Sequence, residues 1–199
     1  GGLGEGGGAV QPDERRVRGT APPLRPPDPM SSARLLMWTL ALGLLAVAVA
    51  VWPQVPARFP THYGFDGVAD AWAERSLLAW LALPLVGLAL AAFLEWMTQV
   101  SIYRSGAPGL NLPNKAAILA LPPDRQVPVL DRVAAMGYGS GVACLASFAL
   151  IQMGTWVEAN GASGTGWVMA GVAAAVVGSL AVLVVGMVAV QNELDRQRR

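Results

Sequence analysis

The sequence predicts an all-α integral membrane bundle of four transmembrane helices with both termini cytoplasmic. Three observations lead there. Of 199 residues, 54% are hydrophobic and 14% are charged, about half the charged fraction usual in soluble domains. The charges are segregated, with none between Val133 and Val157 and none between Ala159 and Gln191. Four apolar runs, at about 35–52, 77–97, 133–156 and 167–190, each reach or exceed the roughly 18 residues a helix needs to cross a hydrocarbon core.

Each element follows from local composition. Residues 1–30 carry six glycines in the first eight positions and six prolines between Pro12 and Pro29. With no apolar periodicity, they are expected to form a disordered cytoplasmic tail. Residues 31–199 form the membrane domain. The first run lacks a small-residue cleavage site after Trp52 and reads as a retained helix. An outer loop spans 53–72, and Asp70 is the expected N-cap of a second helix entering through Ala71, Trp72 and Ala73. Pro84 lies inside that helix and frees a backbone carbonyl in the bilayer. Glu95 closes it. The inner loop, 104–132, holds Pro108, Pro113, Pro122, Pro123 and Pro128, with a short surface helix expected near 114–121. The last two helices carry small residues at four-residue spacing, Ala135-Gly139-Ala143-Ser147 and Ala170-Ala174-Gly178. Such spacing lets backbones approach closely, within a bundle or a dimer.

Flanking charge sets the orientation. Twelve Lys and Arg residues lie at the termini and in the inner loop, against Arg58 and Arg75 on the other side. Trp52, Trp72, Trp80, Trp156 and Trp167 fall near the outer ends of the runs, and Trp38 and Trp96 near the inner ends, as indole rings favour the interface. The expected location is a bacterial cytoplasmic (inner) membrane, with the lipid bilayer as first partner.

Val55-Pro56-Ala57-Arg58-Phe59-Pro60-Thr61-His62-Tyr63, followed by Gly67, Asp70, Trp72 and Arg75, is the most specific stretch of the chain. It holds the only histidine. It resembles the signature that opens a bacterial membrane family of unknown function, related to the SdpI-type toxin-immunity proteins. That signature reads Leu-Pro, then Ile-Pro-x-His-aromatic, then Gly, Asp, Trp and a basic residue. Here Val55 stands for Leu, Ala69 for Pro and Arg75 for Lys. Asn111-Leu112-Pro113-Asn114-Lys115 is similar to an Asn-Ile-Pro-Asn-Lys element of the same family. The resemblance implies four or more membrane helices. It also implies a protein whose relative protects its host from a secreted toxin and can recruit a cytoplasmic repressor.

The residues themselves leave several alternatives open. His62, Asp66 and Asp70, with Asp66-Gly67 as a turn, could gather around a divalent cation at the outer loop. Alternatively the carboxylates cap turns and His62 bonds the backbone. Glu95 is either a proton or ion relay or a side chain reaching the headgroups beside Arg104. Asn111 to Lys115 either bind a cytoplasmic partner or form a rigid turn docked under the bundle. The whole outer loop is either a ligand site or a structural clasp built on Pro56, Pro60, Gly67 and Trp72.

With one His, one Cys (Cys144, inside the third run) and no Gly-rich phosphate loop, most hydrolase and redox arrangements are unavailable. The chain is expected not to be an enzyme and not to bind nucleic acid. The leading expectation is recognition of an extracellular peptide or envelope component by the outer loop, with a cytoplasmic protein partner reading the inner loop. A small transporter and an accessory subunit of a membrane complex are the alternatives.

Overall fold

The computed structural model describes residues 31–112 and 114–199, with the backbone alone at Ala107. The expected disordered tail at 1–30 and Pro113 lie outside the described residues. Four helices are long and apolar enough to cross a membrane, so the chain is an all-α multi-pass membrane protein. They are α1 (Ser32–Val51), α2 (Leu77–Met97), α4 (Pro123–Ala159) and α5 (Thr165–Arg198), with a short α3 (Lys115–Leu119) between α2 and α4. Helices α1, α2 and α4 pack on one another, whereas α5 packs mainly along α4.

Between α1 and α2 the chain departs from expectation. In place of a loop at 53–72 stands an antiparallel hairpin of β1 (Arg58–Tyr63) and β2 (Ala69–Glu74). Asp70 is therefore a strand residue and does not cap α2. The N-cap is Ser76, whose Oγ accepts from the Ala79 amide at 3.5 Å. Ala-Asp-Ala-Trp-Ala-Glu has good helical propensity by itself, but pairing with the aromatic strand Arg-Phe-Pro-Thr-His-Tyr overrides it.

The helix carrying the third run is longer than its apolar stretch. At 37 residues, α4 is about 55 Å long, well beyond a core about 30 Å thick. It starts at Pro123, where a missing N–H costs nothing, and continues through Pro128 because Val129 and Leu130 beyond it are fully buried. Val129 and Leu130 belong with Ile118, Leu121, Val190 and Leu194 to the main core, which continues along the bundle through Met37, Ala41, Ala91 and Leu145. The inner loop is accordingly shorter than 104–132, and Arg125 and Arg132 are helical. After α2 the chain makes a π-helical segment, Thr98–Arg104, and the Tyr103 hydroxyl donates to Asp131 on α4 at 3.0 Å.

The small-residue stripes pack α4 on α5 within the chain. A Cβ on Gly178 would sit 3.2 Å from the Ala143 Cβ, one on Gly139 3.2 Å from Val182, and one on Gly171 3.0 Å from the Ser147 carbonyl. Glu95 is mostly buried and pairs with Arg34, not with Arg104. Its two oxygens take Arg34 Nε and Nη2 at 2.9 Å each, together with Gln99 Nε2 at 2.9 Å and Trp38 Nε1 at 3.3 Å. The pair thus fastens α1 to α2 at the terminal side.

Pro84 has its expected consequence, and the structure supplies the answer to it. The ring removes the hydrogen bond to the Trp80 carbonyl four residues earlier, and Gln152 on α4 donates its Nε2 to that carbonyl at 3.5 Å. This gives a polar side chain inside the third run a structural task. Gln152→Leu should lower stability in detergent by about 1–2 kcal/mol by orphaning the carbonyl. In a Pro84→Ala background, where the helix supplies its own amide, the same change should cost much less. Thermal unfolding of the four proteins of this cycle checks the coupling, and strictly additive costs would rule it out.

Candidate functional site: the hairpin and the cavity beneath it

The hairpin lies across the ends of the bundle on the side opposite the termini. At its base, the α1 C-terminus leaves carbonyls without helical partners. Arg75 Nη2 donates to the Trp52 carbonyl at 2.9 Å and to the Pro53 carbonyl at 3.5 Å, and its guanidinium lies 4.5 Å from the centre of the Trp52 ring. The cation also favours the negative end of the helix dipole. Trp80 Nε1 donates to the Ala48 carbonyl at 2.8 Å. Phe59 on β1 meets the Trp80 ring edge-on at 5.6 Å, and Trp156 meets it at 6.3 Å. Val55, Phe59 and Trp80 are buried with Ala48 as one cluster.

Farther along, the Tyr63 hydroxyl donates to Thr155 Oγ1 at 3.2 Å, and Thr155 passes a bond to the Ile151 carbonyl at 3.0 Å. Burial raises the Tyr63 phenol above its ordinary range. The Thr155 bond works against that, and the Glu158 carboxylate adds to it. The turn is closed by Gly64 N to Val68 O and Gly67 N to Gly64 O, both at 2.9 Å. Asp66 takes the Val68 amide at 3.0 Å. Gly67 has φ +74°, and a Cβ there would stand 2.8 Å from Met169 Cγ on α5. Glycine is needed twice over, for the left-handed backbone and for the close approach.

Of the sequence-derived candidates, Pro60 and Tyr63 line one cavity with Phe59 and Trp80, Trp72 faces Pro60 across the hairpin, Arg75 meets Trp52, and Gly67 is seated on α5. Pro60 is buried while Pro56 is half-buried. His62 Nδ1 meets Asp70 Oδ1 at 2.6 Å across the hairpin. His62, Asp66, Asp70 and Glu74, although spaced by four residues in the chain, are distributed over the two strands and the turn of the hairpin. His62 and Asp70 face each other, Asp66 turns to its own loop, and Glu74 pairs with Arg58 at 3.4 Å. Among the described residues no group of three or more His, Cys, Asp and Glu side chains is placed to hold a metal ion, so His62, Asp66 and Asp70 make a two-residue contact and a separate turn.

Asn111, Leu112, Asn114 and Lys115 lie at the far end of the molecule. Asn114 donates to Gln191 on α5, Lys115 Nζ donates to the Pro108 carbonyl at 2.7 Å, and Leu112 packs against the core. This segment is thus docked beneath the bundle.

Under β1 is a cavity of about 480 Å³. Phe59, Pro60, Thr61 and Tyr63 form its roof. Ala79, Ala82, Leu83 and Val86 form the α2 wall, and Ile151, Gln152 and Thr155 the α4 wall. Ala79 to Val86 spans about 10 Å along the helix axis. The walls are apolar, with the Tyr63–Thr155 hydroxyls at the roof and the Gln152 amide one turn below. The residues that sequence reasoning missed, Trp80, Gln152 and Thr155, sit inside apolar runs. Only Gln152, as a polar residue in such a run, signalled itself.

Gly67→Ala should destabilise the protein by about 1–2 kcal/mol through the left-handed backbone alone, and by more with the Met169 clash. Met169→Ala should recover only the steric part, as thermal unfolding of the two single variants and the double variant will show. The raised Tyr63 value fixes a second expectation. The neutral phenol contributes stability in full below the unfolded tyrosine value near 10, and this is lost as pH rises through the higher folded value. Tyr63→Phe should therefore flatten the alkaline limb of a stability–pH profile, and an unchanged limb would contradict the assigned burial.

Residues 39–88 match the family model described as a domain of unknown function, DUF1648. The match runs from the second half of α1 through the hairpin to the middle of α2, so it contains both strands, the Arg75–Trp52 contact and Pro84. No curated protein and no solved structure matches the chain. Nothing in these comparisons ties it to the SdpI-type immunity proteins, and the relationship they support is narrower. The chain carries a DUF1648 domain at residues 39–88 within a multi-pass membrane protein.

Proposed function

We propose that this is a non-enzymatic binding protein of the bacterial cytoplasmic membrane, with the hairpin outside and both termini inside. Its ligand is an amphipathic envelope component that enters the cavity beneath β1. The observation that carries this reading is the cavity itself. At about 480 Å³ it falls within the range of small-molecule sites, and it has the composition of one: apolar walls with a few polar groups. Because its α2 and α4 walls are lipid-crossing helices, an acyl or other apolar chain reaches it from the outer leaflet. A polar head would meet the Tyr63 and Thr155 hydroxyls at the roof.

Occupancy would bear on Thr155 and Ile151 of α4. That helix is continuous to the inner side, where Asp131 holds Tyr103 and the Asn111–Lys115 segment docks. A signalling or protective role follows from this route, with a cytoplasmic partner reading the inner end. The transporter reading gains less support, since Glu95 is already engaged by Arg34, Trp38 and Gln99.

A phosphatidylglycerol bearing a diazirine on one acyl chain, in nanodiscs, tests the site. Photolabelling should concentrate on the segments 79–86 and 151–155. Ala82→Trp, which fills the cavity, should reduce labelling there several-fold while leaving the melting temperature close to that of the wild type. Labelling that is spread along all four helices, or that is unchanged by Ala82→Trp, would sink the proposal.

A further inference from the structure

The two strands of the hairpin treat their free edges differently. In an antiparallel pair, backbone groups point alternately toward the partner and away from it. The Arg75 amide donates to the Ala57 carbonyl at 2.7 Å, and Arg58 faces Glu74, Phe59 faces Ala73 and Pro60 faces Trp72. That phase makes Phe59/Ala73 a bonded pair and turns the backbone groups of Arg58, Pro60, Trp72 and Glu74 outward. Pro60 thus lacks an N–H just where β1 has no use for one on its inner side. On its outer side the missing donor, the irregularity after Pro60 and the packing of α4 along β1 all close that edge.

The β2 edge has none of these protections. No helix packs along it as α4 packs along β1, and it contains no proline and no lysine. Its two charges are spent across the hairpin, Asp70 on His62 and Glu74 on Arg58. By this register the N–H and C=O groups of Trp72 and Glu74 point away from β1, and outside the hairpin ladder no backbone group among the described residues bonds to them. An unprotected edge of this kind is a template for another strand, and a two-stranded sheet is by itself marginal where three are stable. Ala69, Ala71 and Ala73 leave room on one face. Beside the edge stand the half-exposed Trp72 and Val68 and the fully exposed Phe65. At the turn, Asp66 has no cationic partner among the described residues.

We propose that the β2 edge is a docking site for an extended peptide segment of a partner on the hairpin side, which adds as a third strand. Main-chain bonds to Trp72 and Glu74 give the affinity. Trp72 and Val68 take an apolar side chain of the peptide, and Asp66 favours a basic residue near the turn. This is the strand-addition mode of peptide recognition, in which register is set by the backbone and preference by alternate side chains. The surface is separate from the cavity beneath β1 and does not depend on its being filled.

The probe is a fluorescent ten-residue peptide alternating valine and lysine, titrated onto the full chain in nanodiscs and read by anisotropy. Two N-methylated versions carry the methyl groups on odd or on even residues. The unmethylated peptide should bind, one methylated register should lose affinity about tenfold or more, as expected for at least one lost hydrogen bond, and the other should not. Trp72→Pro removes an outward donor without touching the β1 ladder, and it should weaken binding while the melting temperature holds. Ala82→Trp should leave binding unchanged, which separates a failure at this edge from a failure of the cavity reading. No binding, equal loss from both methylated registers, or full binding by Trp72→Pro would each overturn the proposal. So would dimerisation of the peptide-free chain abolished by Trp72→Pro, which would assign the edge to a second copy.

Discussion

The corner between α1 and α2 holds because side chains donate to backbone carbonyls at the end of α1 and inside α2. The Trp52 amide turns to the Val49 carbonyl and leaves that of Ala48, the Trp52 carbonyl takes Arg75 besides the Val55 amide, and within α2 Pro84 strips the partner from Trp80. Trp80 Nε1, Arg75 and Gln152 supply the three donors. In or near hydrocarbon an unpaired carbonyl has no water to turn to, so these contacts determine where α2 and α4 stand relative to α1. Trp80 links them, as donor to α1 and acceptor from α4, with its ring under Phe59 and beside Trp156.

The hairpin's placement follows from that corner. Its base is fastened by Arg75, its middle by the Tyr63–Thr155 bond and its turn by Gly67 against Met169. One strand therefore faces the bundle and the other faces away. The inner strand roofs a cavity where the α2 residues below it, Ala79 and Ala82, are small. The same contacts fasten the hairpin to the bundle and leave a cavity beneath it. At the other end, Arg34–Glu95 and Tyr103–Asp131 tie α1, the π-helical segment and α4.

The membrane helices were legible because lipid imposes a length and a composition that are written locally in the chain. Residues 77–97 coincide with α2 for that reason. The hairpin was not legible: Ala69–Glu74 carries no strand signal of its own and becomes one only by facing Arg58–Tyr63. The extension of α4 through Pro128 was hidden in the same way. Its first turns are polar at the surface, and their helical state depends on Val129 and Leu130 being buried against Ile118 and Leu194. Of the site, Gly67 and Arg75 stood out by residue type. Thr155 and Trp80 did not, since a threonine or a tryptophan near a helix end has many ordinary uses.

By itself the sequence determined that the chain carries four helices long and apolar enough to cross a membrane, that its tryptophans collect at the helix ends and that its single histidine lies between the first two of them. Each of these depends on properties summed along contiguous residues. Only the tertiary structure decided which groups meet. Arg75 reaches Trp52 across 23 residues, Tyr63 reaches Thr155 across 92, and Glu95 takes Arg34 in place of Arg104. Such partners are chosen by the packing of whole helices and by the need to pair every stranded backbone group, and neither can be read from any single stretch of chain.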